Sequence, residues 1–206
     1  MLWAPPDAGA ARQPPVVAVA SLAEGPRLDT GSFLFARYAA VNASSLYCGV
    51  GFGAGGFFLG IAENPRTGYR VRLAGAMTRV AWRDDRSLTV GLAAADASDG
   101  RFAQLYLLPG LSWRALSLSG TVLWSEPLGR AGRSQLDLNP LMLLARLAER
   151  VAAGVSYAGS FTAGAPSLHR AGPAVRMAIA AQTVEVEWLA RRSGPSELRV
   201  AVRTRF

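Results

Sequence analysis

Few side chains in this sequence are of the types that carry catalysis. His169 is the only histidine, and Ser167 lies two residues before it, so a serine–histidine hydrolase pair is the arrangement to consider. Against it, residues 163–173 contain no acidic side chain to orient the imidazole, and the Gly-x-Ser-x-Gly motif of many hydrolases is absent. Cys48 is the only cysteine, which excludes a cysteine-rich metal site. We therefore expect no enzyme activity, no metal site and no cofactor.

Arginine supplies all of the positive charge. The sequence has 22 basic residues, none of them lysine, against 14 acidic residues, which gives a net charge of +8. Guanidinium groups suit carboxylates and phosphates, although a GC-rich genome would account for part of the arginine content. The arginines are spread singly along the chain, with no basic run and no aromatic–basic platform. We therefore expect no nucleic-acid partner.

The last twenty-five residues show the clearest structural pattern. Over 196–206 the even positions are mostly apolar, as at Val200 and Val202, whereas the odd positions include Glu197, Arg199 and Arg203. Residues 182–192 alternate in the same way, and 192–195 have the composition of a turn. A side-chain period of two predicts strands with one apolar and one charged face. The chain therefore ends in a predicted β-hairpin.

The same rhythm extends back along the chain. We predict twelve strands between residues 15 and 206, the first at 15–23 and a long one at 45–61. Longer polar loops alternate with short turns, which are predicted at 84–86, 109–111, 147–149 and 180–182. Regular alternation of this kind favours an up-and-down antiparallel sheet.

Two stretches allow a second interpretation. Residues 46–62 are uncharged and just long enough for a transmembrane helix, but their many glycines favour a strand that bends at Gly55–Gly56. Residues 139–153 begin with Asn139–Pro140, which suits either a capped helix or a strand–turn–strand unit. We favour strands in both places.

An alternating strand that ends on a carboxyl-terminal aromatic residue, Phe206, resembles the closing strand of bacterial outer-membrane β-barrels. In that family the terminal aromatic belongs to the signal read by the barrel-assembly machinery. The resemblance therefore implies an all-β, transmembrane, antiparallel up-and-down barrel of about twelve strands, with ten as the alternative. It also implies the bacterial outer membrane as location, with outer-membrane lipid and the assembly machinery as partners. A soluble β-sandwich or barrel is the alternative fold.

In such a barrel the charged strand faces line the interior. With the last turn centred near Gly194, Glu185 is expected opposite Arg203. Arg176 is then expected beside Glu185 or Glu187, and Arg199 near Glu187. Arg70, Arg72 and Arg114 would extend the charged wall on the opposite side. The full set of candidate lumen-lining residues is Arg70, Arg72, Arg114, Arg176, Glu185, Glu187, Arg199 and Arg203.

These charges have two interpretations. They form cross-strand ion pairs that fix the register and fill a narrow lumen, or they form an arginine track that guides anionic solutes. The leading functional hypothesis is accordingly a small channel or exporter component for small solutes or glycans, with an anion bias. A closed structural barrel that anchors an envelope or surface assembly through protein partners is the alternative, and an outer-membrane lipid hydrolase that uses His169 is a further one.

The amino-terminal stretch differs from the rest. Residues 1–14 lack the basic start and apolar core of a secretory signal, and they are rich in proline. We expect that an export signal has been removed and that 1–14 form a disordered or extended periplasmic tail. Residues 15–206 are then expected to form a single outer-membrane barrel.

Overall fold

The computed structural model describes residues 33–41, 45–54, 56–65, 67–83, 85–129, 132–192 and 196–205. The tail predicted over 1–14, the strand predicted over 15–23 and the proposed assembly signal Phe206 lie outside these residues. Within the described ranges the chain forms twelve strands: β1 (Phe33–Val41), β2 (Ser45–Ala54), β3 (Phe57–Asn64), β4 (Tyr69–Arg83), β5 (Arg86–Ala97), β6 (Gly100–Trp113), β7 (Leu116–Pro127), β8 (Gln135–Ala148), β9 (Val151–Thr162), β10 (Leu168–Ile179), β11 (Gln182–Arg191) and β12 (Glu197–Arg205). None of the described residues belongs to a helix long and apolar enough to cross a membrane.

Each strand pairs antiparallel with its neighbours in sequence, and β1 pairs with β12 to close the sheet. Phe33 lies opposite Arg205 at one end of this seam, and Val41 lies opposite Glu197 at the other. Closure satisfies the backbone groups of both edge strands, which a sheet within hydrocarbon requires. The predicted up-and-down barrel is confirmed.

The connections alternate between opposite ends of the barrel, and those at one end are longer except at 97–100, where Ala97 pairs with Gly100. Tight turns at 54–57, 83–86, 113–116, 148–151 and 179–182 share one end, here called the turn end. The connections at 64–69, 97–100, 127–135, 162–168 and 191–197 share the other, here called the loop end. The seam brings the last strand beside the first, so Phe33 and Arg205 both lie at the turn end.

One predicted strand and one predicted turn differ from the structure. The long strand predicted at 45–61 is two strands, because Gly56 has a φ of 84° and reverses the chain between β2 and β3. The turn predicted at 109–111 lies within β6, and the chain turns at Arg114–Ala115 instead. Pro109 has no N–H to donate, and the β6–β7 ladder accommodates it by skipping the residues between Leu107 and Gly110. The stretch 139–153 is strand–turn–strand, as predicted.

The outer surface of the barrel is apolar around most of its circumference. Large apolar side chains that point outward and remain exposed include Leu34, Val50, Phe52, Leu59, Ile61, Leu92, Leu118, Trp124, Leu143, Val155, Val175 and Trp188. Soluble monomers rarely expose continuous apolar surface on this scale. On β12 the outward residues Val200 and Val202 are half-buried, whereas Arg199 and Arg203 on the inner face are 1% and 5% exposed. This arrangement indicates an exterior that faces hydrocarbon.

The interior along β3 to β7 is largely apolar, with uncharged polar side chains such as Gln104 and Thr121 buried beside the apolar ones. Side chains from β3 to β7 form a buried cluster, which Ala201 of β12 joins from the other side of the lumen: Phe58, Val71, Leu73, Ala95, Phe102, Tyr106, Leu108, Leu123 and Ala201. The Phe58 ring lies against the inward-facing Gly75, its directly paired neighbour on β4. Tyr106 packs edge-on against Phe58 with 5.7 Å between ring centroids.

This apolar half corrects the prediction for β4. Val71 and Leu73 point into the interior, each 5% exposed, so Arg70 and Arg72 point outward and are not lumen-lining. The alternation on β4 was identified correctly, but the faces are inverted. The reason is that the interior is apolar near the loop end, where the outward positions carry charge. Arg79, at a half-buried inward position nearer the turn end, is an arginine on the inner face of β4.

We expect Gly75→Ala to destabilise the barrel. A Cβ at this position would lie 2.4 Å from the Leu92 carbonyl oxygen and 2.6 Å from the Phe58 ring. Overpacking of this kind costs about 1–3 kcal/mol. Urea titration in detergent micelles measures the loss in free energy of unfolding. Gly129→Ala is the matched control, since a Cβ there meets nothing within 4 Å; equal stability of the two variants would contradict the packing described for Phe58.

Candidate functional site

The other half of the interior, from β8 to β12, is a charged wall. Strand alternation places its charges inward, where enclosure by the barrel buries them wholly or partly. The buried and half-buried charged side chains described on these strands are Asp137, Arg170, Arg176, Glu185, Glu187, Glu197, Arg199 and Arg203. Four carboxylates therefore face four arginines.

A group of four residues near the loop end, here called the Glu197 cluster, is Asn139, Arg170, Glu197 and Arg199. Oε1 of Glu197 accepts a hydrogen bond from Nε of Arg199 at 2.5 Å, and Oε2 lies 2.7 Å from a terminal nitrogen of Arg170. The side chains of Glu197 and Arg199 are 3% and 1% exposed. One internal carboxylate is thus shared between two guanidinium groups.

The cluster also spans the lumen. Arg199 on β12 donates a hydrogen bond to the Asn139 side-chain oxygen on β8, and three strands lie between β12 and β8 around the wall. On the apolar side, Ala201 of β12 packs within the cluster from β3 to β7. Thr121, Leu123 and Leu189 are fully buried. Side chains therefore fill the described interior at these levels.

A small cavity of about 50 Å³ lies beside the Glu197 cluster. Its polar lining comes from Asp137, Asn139, Ser160, Arg170 and Arg199. Its volume has room for on the order of a few water molecules. The cavity therefore brings two guanidinium groups, a carboxylate, an amide and a hydroxyl together around one space.

Gln135 holds the Asp137 carboxylate in place. Its amide nitrogen donates to both carboxylate oxygens of Asp137, at 3.0 and 2.9 Å, and to Ser160 Oγ at 3.1 Å. Thr162 donates to the Gln135 amide oxygen at 3.2 Å. These bonds fix the orientation of the acidic lining of the cavity.

Closer to the turn end, Arg176 pairs with Glu185 as predicted. The two are opposite each other on β10 and β11, with Nε and Oε1 2.6 Å apart, and Arg176 also donates to Ser119 on β7 at 3.1 Å. Glu187 lies opposite Arg199, also as predicted, and accepts a hydrogen bond from Ser156 at 2.6 Å. The hydrogen bonds of Arg176 with Ser119 and of Ser156 with Glu187 join strands that are not adjacent in the sheet.

The predicted pairing of Arg203 and the predicted location of Arg114 are wrong, although Arg203 itself points inward and is buried. Arg203 lies opposite Thr183, not Glu185, because the last connection is centred one residue earlier than Gly194, which shifts the pairing by two residues. Arg114 lies in the exposed turn between β6 and β7, where its guanidinium carbon lies 5.2 Å from the centroid of the Trp113 ring. Arg114 is therefore not part of the lumen wall.

The candidate lumen-lining residues predicted from the sequence did not include Asp137, Asn139, Arg170 or Glu197. Glu197 and Arg170 share the parity of their predicted charged neighbours, so strand alternation was a sufficient signal for them. Asn139 lies in the stretch that also suited a helix, and only closure of the barrel brings it to Arg199, sixty residues away.

His169, the candidate base of the hydrolase alternative, lies on the outer face of β10. Its Nδ1 is 2.8 Å from the Tyr157 hydroxyl oxygen, and its ring packs edge-on against Phe161. These contacts belong to an aromatic patch near the loop end. The described residues include no group of three or more metal-binding side chains placed to hold an ion.

Comparison with known proteins gives structural matches only. No protein-family model and no curated protein matches the sequence. The KdgM porin superposes with a TM-score of 0.61 at 13% identity, over 84% of this chain and 99% of that one. A KdgM porin in complex with disordered oligogalacturonate gives 0.62 at 13%, with the same coverage. The NanC porin gives 0.59 at 8%, over 84% of this chain and 100% of that one. The chain therefore has the fold of outer-membrane porin barrels.

Removing one member of the Arg176–Glu185 pair should destabilise the barrel strongly. The two side chains are 15% and 8% exposed, so Arg176→Met or Glu185→Gln leaves a buried charge without its partner. We expect each single change to cost about 3 kcal/mol or more, and the double change to cost less than their sum. Urea titration of the four proteins in detergent micelles measures this coupling.

Arg86→Met is the control for this cycle. It removes an ion pair with Asp85 whose side chains are about half exposed, and such pairs contribute about 0–1 kcal/mol. A cost for Arg176→Met no greater than that for Arg86→Met would show that the interior pair is solvated.

Proposed function

We propose that the chain is a narrow outer-membrane channel for small solutes that carry a carboxylate group. The outward apolar surface and the porin fold support the membrane location. A structural neighbour has been solved with oligogalacturonate, a chain of sugar acids, and this supports the solute class at the level of an analogy. The solute would pass along the charged wall of β8 to β12.

The observation that carries the proposal is the position of Glu197. Its two carboxylate oxygens are held by Arg199 and Arg170, at 2.5 and 2.7 Å. Planar guanidinium groups bind carboxylates through paired, charge-assisted hydrogen bonds. A solute carboxylate that reaches the adjacent cavity would compete with Glu197 for the same two arginines. The Glu197 carboxylate thus occupies the position that the solute carboxylate would take between the two arginines.

Stability alone is a poor explanation for the charged wall. Replacing a buried ion pair with apolar residues is often neutral or stabilising. The buried side chains described on β3 to β7 are apolar or uncharged, as at Leu123 and Gln104. Uncharged side chains could fill the interior along β8 to β12 in the same way. Retained charge on one wall therefore favours a role in handling ions or polar solutes.

In this arrangement the described structure corresponds to a closed channel. Arg199 bridges the lumen to Asn139, and Glu197 neutralises it. Exchange of Glu197 for a solute carboxylate would free the side chains to move along the wall. The proposal needs no catalytic residue, and we propose no enzyme activity.

A structural barrel with a closed lumen is the second candidate. The near-complete burial of Arg199 and the fully buried Leu123 and Leu189 favour it, since they leave no open path at their level. In that case the loops or the lipid face would contact envelope proteins. Phe206 keeps its proposed role as an assembly signal under either function.

Conductance in planar bilayers tests the proposal. We expect small anion-selective currents from the wild-type protein and, for Glu197→Gln, an anion-to-cation permeability ratio raised by about tenfold, since ~1.4 kcal/mol of lost repulsion corresponds to that factor. Glucuronate should reduce the current, whereas glucose, which is neutral and of similar size, should not. Arg199→Ala should raise the conductance, because it removes the bridge to Asn139.

Glu63→Gln is the matched control, because Glu63 lies on the outer surface in an exposed pair with Arg70. It should leave the permeability ratio unchanged. An absence of current in the wild type, Glu197→Gln and Arg199→Ala alike would reject the channel and favour the structural barrel. Equal effects of glucuronate and glucose would reject the carboxylate preference alone.

A further inference from the structure

The outer surface of β4 to β6 carries a row of charges next to the loop end. Arg72, Asp96 and Arg101 are direct neighbours across these three strands. The side chains of Arg101 and Asp96 are 79% and 64% exposed, with 3.4 Å between their closest charged atoms. Two guanidinium groups and one carboxylate thus point away from the barrel.

Two residues deeper along the same strands, the outer surface is lined with alanine. Ala74, Ala94 and Ala103 are direct neighbours across β4, β5 and β6. Below them a row of larger residues, Leu92, Leu105 and Trp124, follows the same register. The step between small and large side chains forms an outward-facing groove of about 420 Å³.

The groove ends at an acidic side chain. Glu126 on β7 lies opposite Ala103 and closes that end. The Arg70–Glu63 pair lies beyond Arg72, toward the loop end. Glu126 is thus the charged side chain among the residues that line the groove, and it lies at the β7 end. The row formed by Arg72, Asp96 and Arg101 lies two residues nearer the loop end and sums to +1.

The position of the charged row relative to the membrane follows from energetics. An arginine on the lipid face of a barrel costs about 2–4 kcal/mol at the bilayer midplane but about 0–1 kcal/mol near the interface. Arg72 and Arg101 therefore belong at the level of the lipid headgroups, and the alanine groove lies just below, at the start of the hydrocarbon.

We propose that this groove binds one anionic membrane lipid, with the lipid phosphate on Arg72 and Arg101 and the adjoining apolar part over Ala74, Ala94 and Ala103. Phosphate matches the guanidinium fork, and the exposed Arg101–Asp96 pair is weak enough to be exchanged for it. A volume of about 420 Å³ is within the roughly 300–1,000 Å³ of small-molecule sites, so it fits the glycerol region and the upper part of a chain.

This lipid site is independent of the proposed channel. It lies on the opposite face of the strands from the lumen and uses none of the Glu197 cluster. A protein that conducts no ions would still be expected to bind the lipid.

Native mass spectrometry of the full chain in a neutral detergent tests the proposal. The probes are dioctanoyl phosphatidylglycerol, which is anionic, and dioctanoyl phosphatidylcholine, which is zwitterionic with the same chains. We expect the wild type to retain one phosphatidylglycerol with about tenfold preference over phosphatidylcholine. Ala94→Trp, which fills the groove, and the double change Arg72→Gln with Arg101→Gln should each weaken phosphatidylglycerol binding by about tenfold.

Controls separate this site from general detergent or charge effects. Ala171→Trp places the same bulk at another exposed outward alanine, on β10, and Arg114→Gln removes an arginine at the turn end. Both should bind like the wild type. Equal retention of the two lipids by the wild type, or equal binding by Ala94→Trp and Ala171→Trp, would overturn the proposal.

Inorganic phosphate distinguishes a lipid from an ion. Millimolar phosphate should displace little phosphatidylglycerol from the wild type, because the alanine groove contributes to lipid binding. If phosphate displaces the lipid fully and Ala94→Trp has no effect, the arginines form an ion site only, and the lipid proposal fails.

Discussion

Closure of the sheet between β1 and β12 is the constraint on which the rest of this structure depends. Backbone amides and carbonyls have no water to bind in hydrocarbon, so every strand must have a partner on both sides. Closure also divides the side chains into two sets, because successive residues on a strand point to opposite faces. One set meets lipid, and the other meets only the opposite wall. The burial of Arg199 and the exposure of Trp188 both follow from this division.

The enclosed interior is filled by two different kinds of side chain. From β3 to β7 it is packed like a soluble core, with Phe58 seated against Gly75 and Tyr106 against Phe58. From β8 to β12 a network of charge, in which each described buried carboxylate lies among arginines, amides or hydroxyls, adjoins a small apolar cluster at Met142 and Leu144. An apolar wall that faces a charged wall is an asymmetric lumen. A solute with a carboxylate on one side and a less polar face on the other would match both walls.

The sequence predicted the elements that repeat and missed those that depend on closure. Alternation identified the faces of β11 and β12, since on each strand the charged set is buried and the opposite apolar set is more exposed. On β4 alternation alone could not say which face was inside, because the interior there is also apolar. The predicted pairing of Arg203 was wrong because the composition of the last turn does not determine its centre and so does not fix the register of β11 and β12. Asn139 and Arg199 are neighbours only in the closed barrel, and no local pattern connects them.

The hydrogen bond between Arg199 and Asn139 also contributes to the stiffness of the barrel. A closed sheet resists flattening into an ellipse mainly through contacts that run across its interior. This bond, together with the Arg176–Ser119 contact nearer the other end, ties distant strands of the cylinder to each other. A solute that draws Arg199 away from Asn139 would release one of these ties. The stiffness of the barrel against lateral pressure from the bilayer would then fall whenever the passage is occupied.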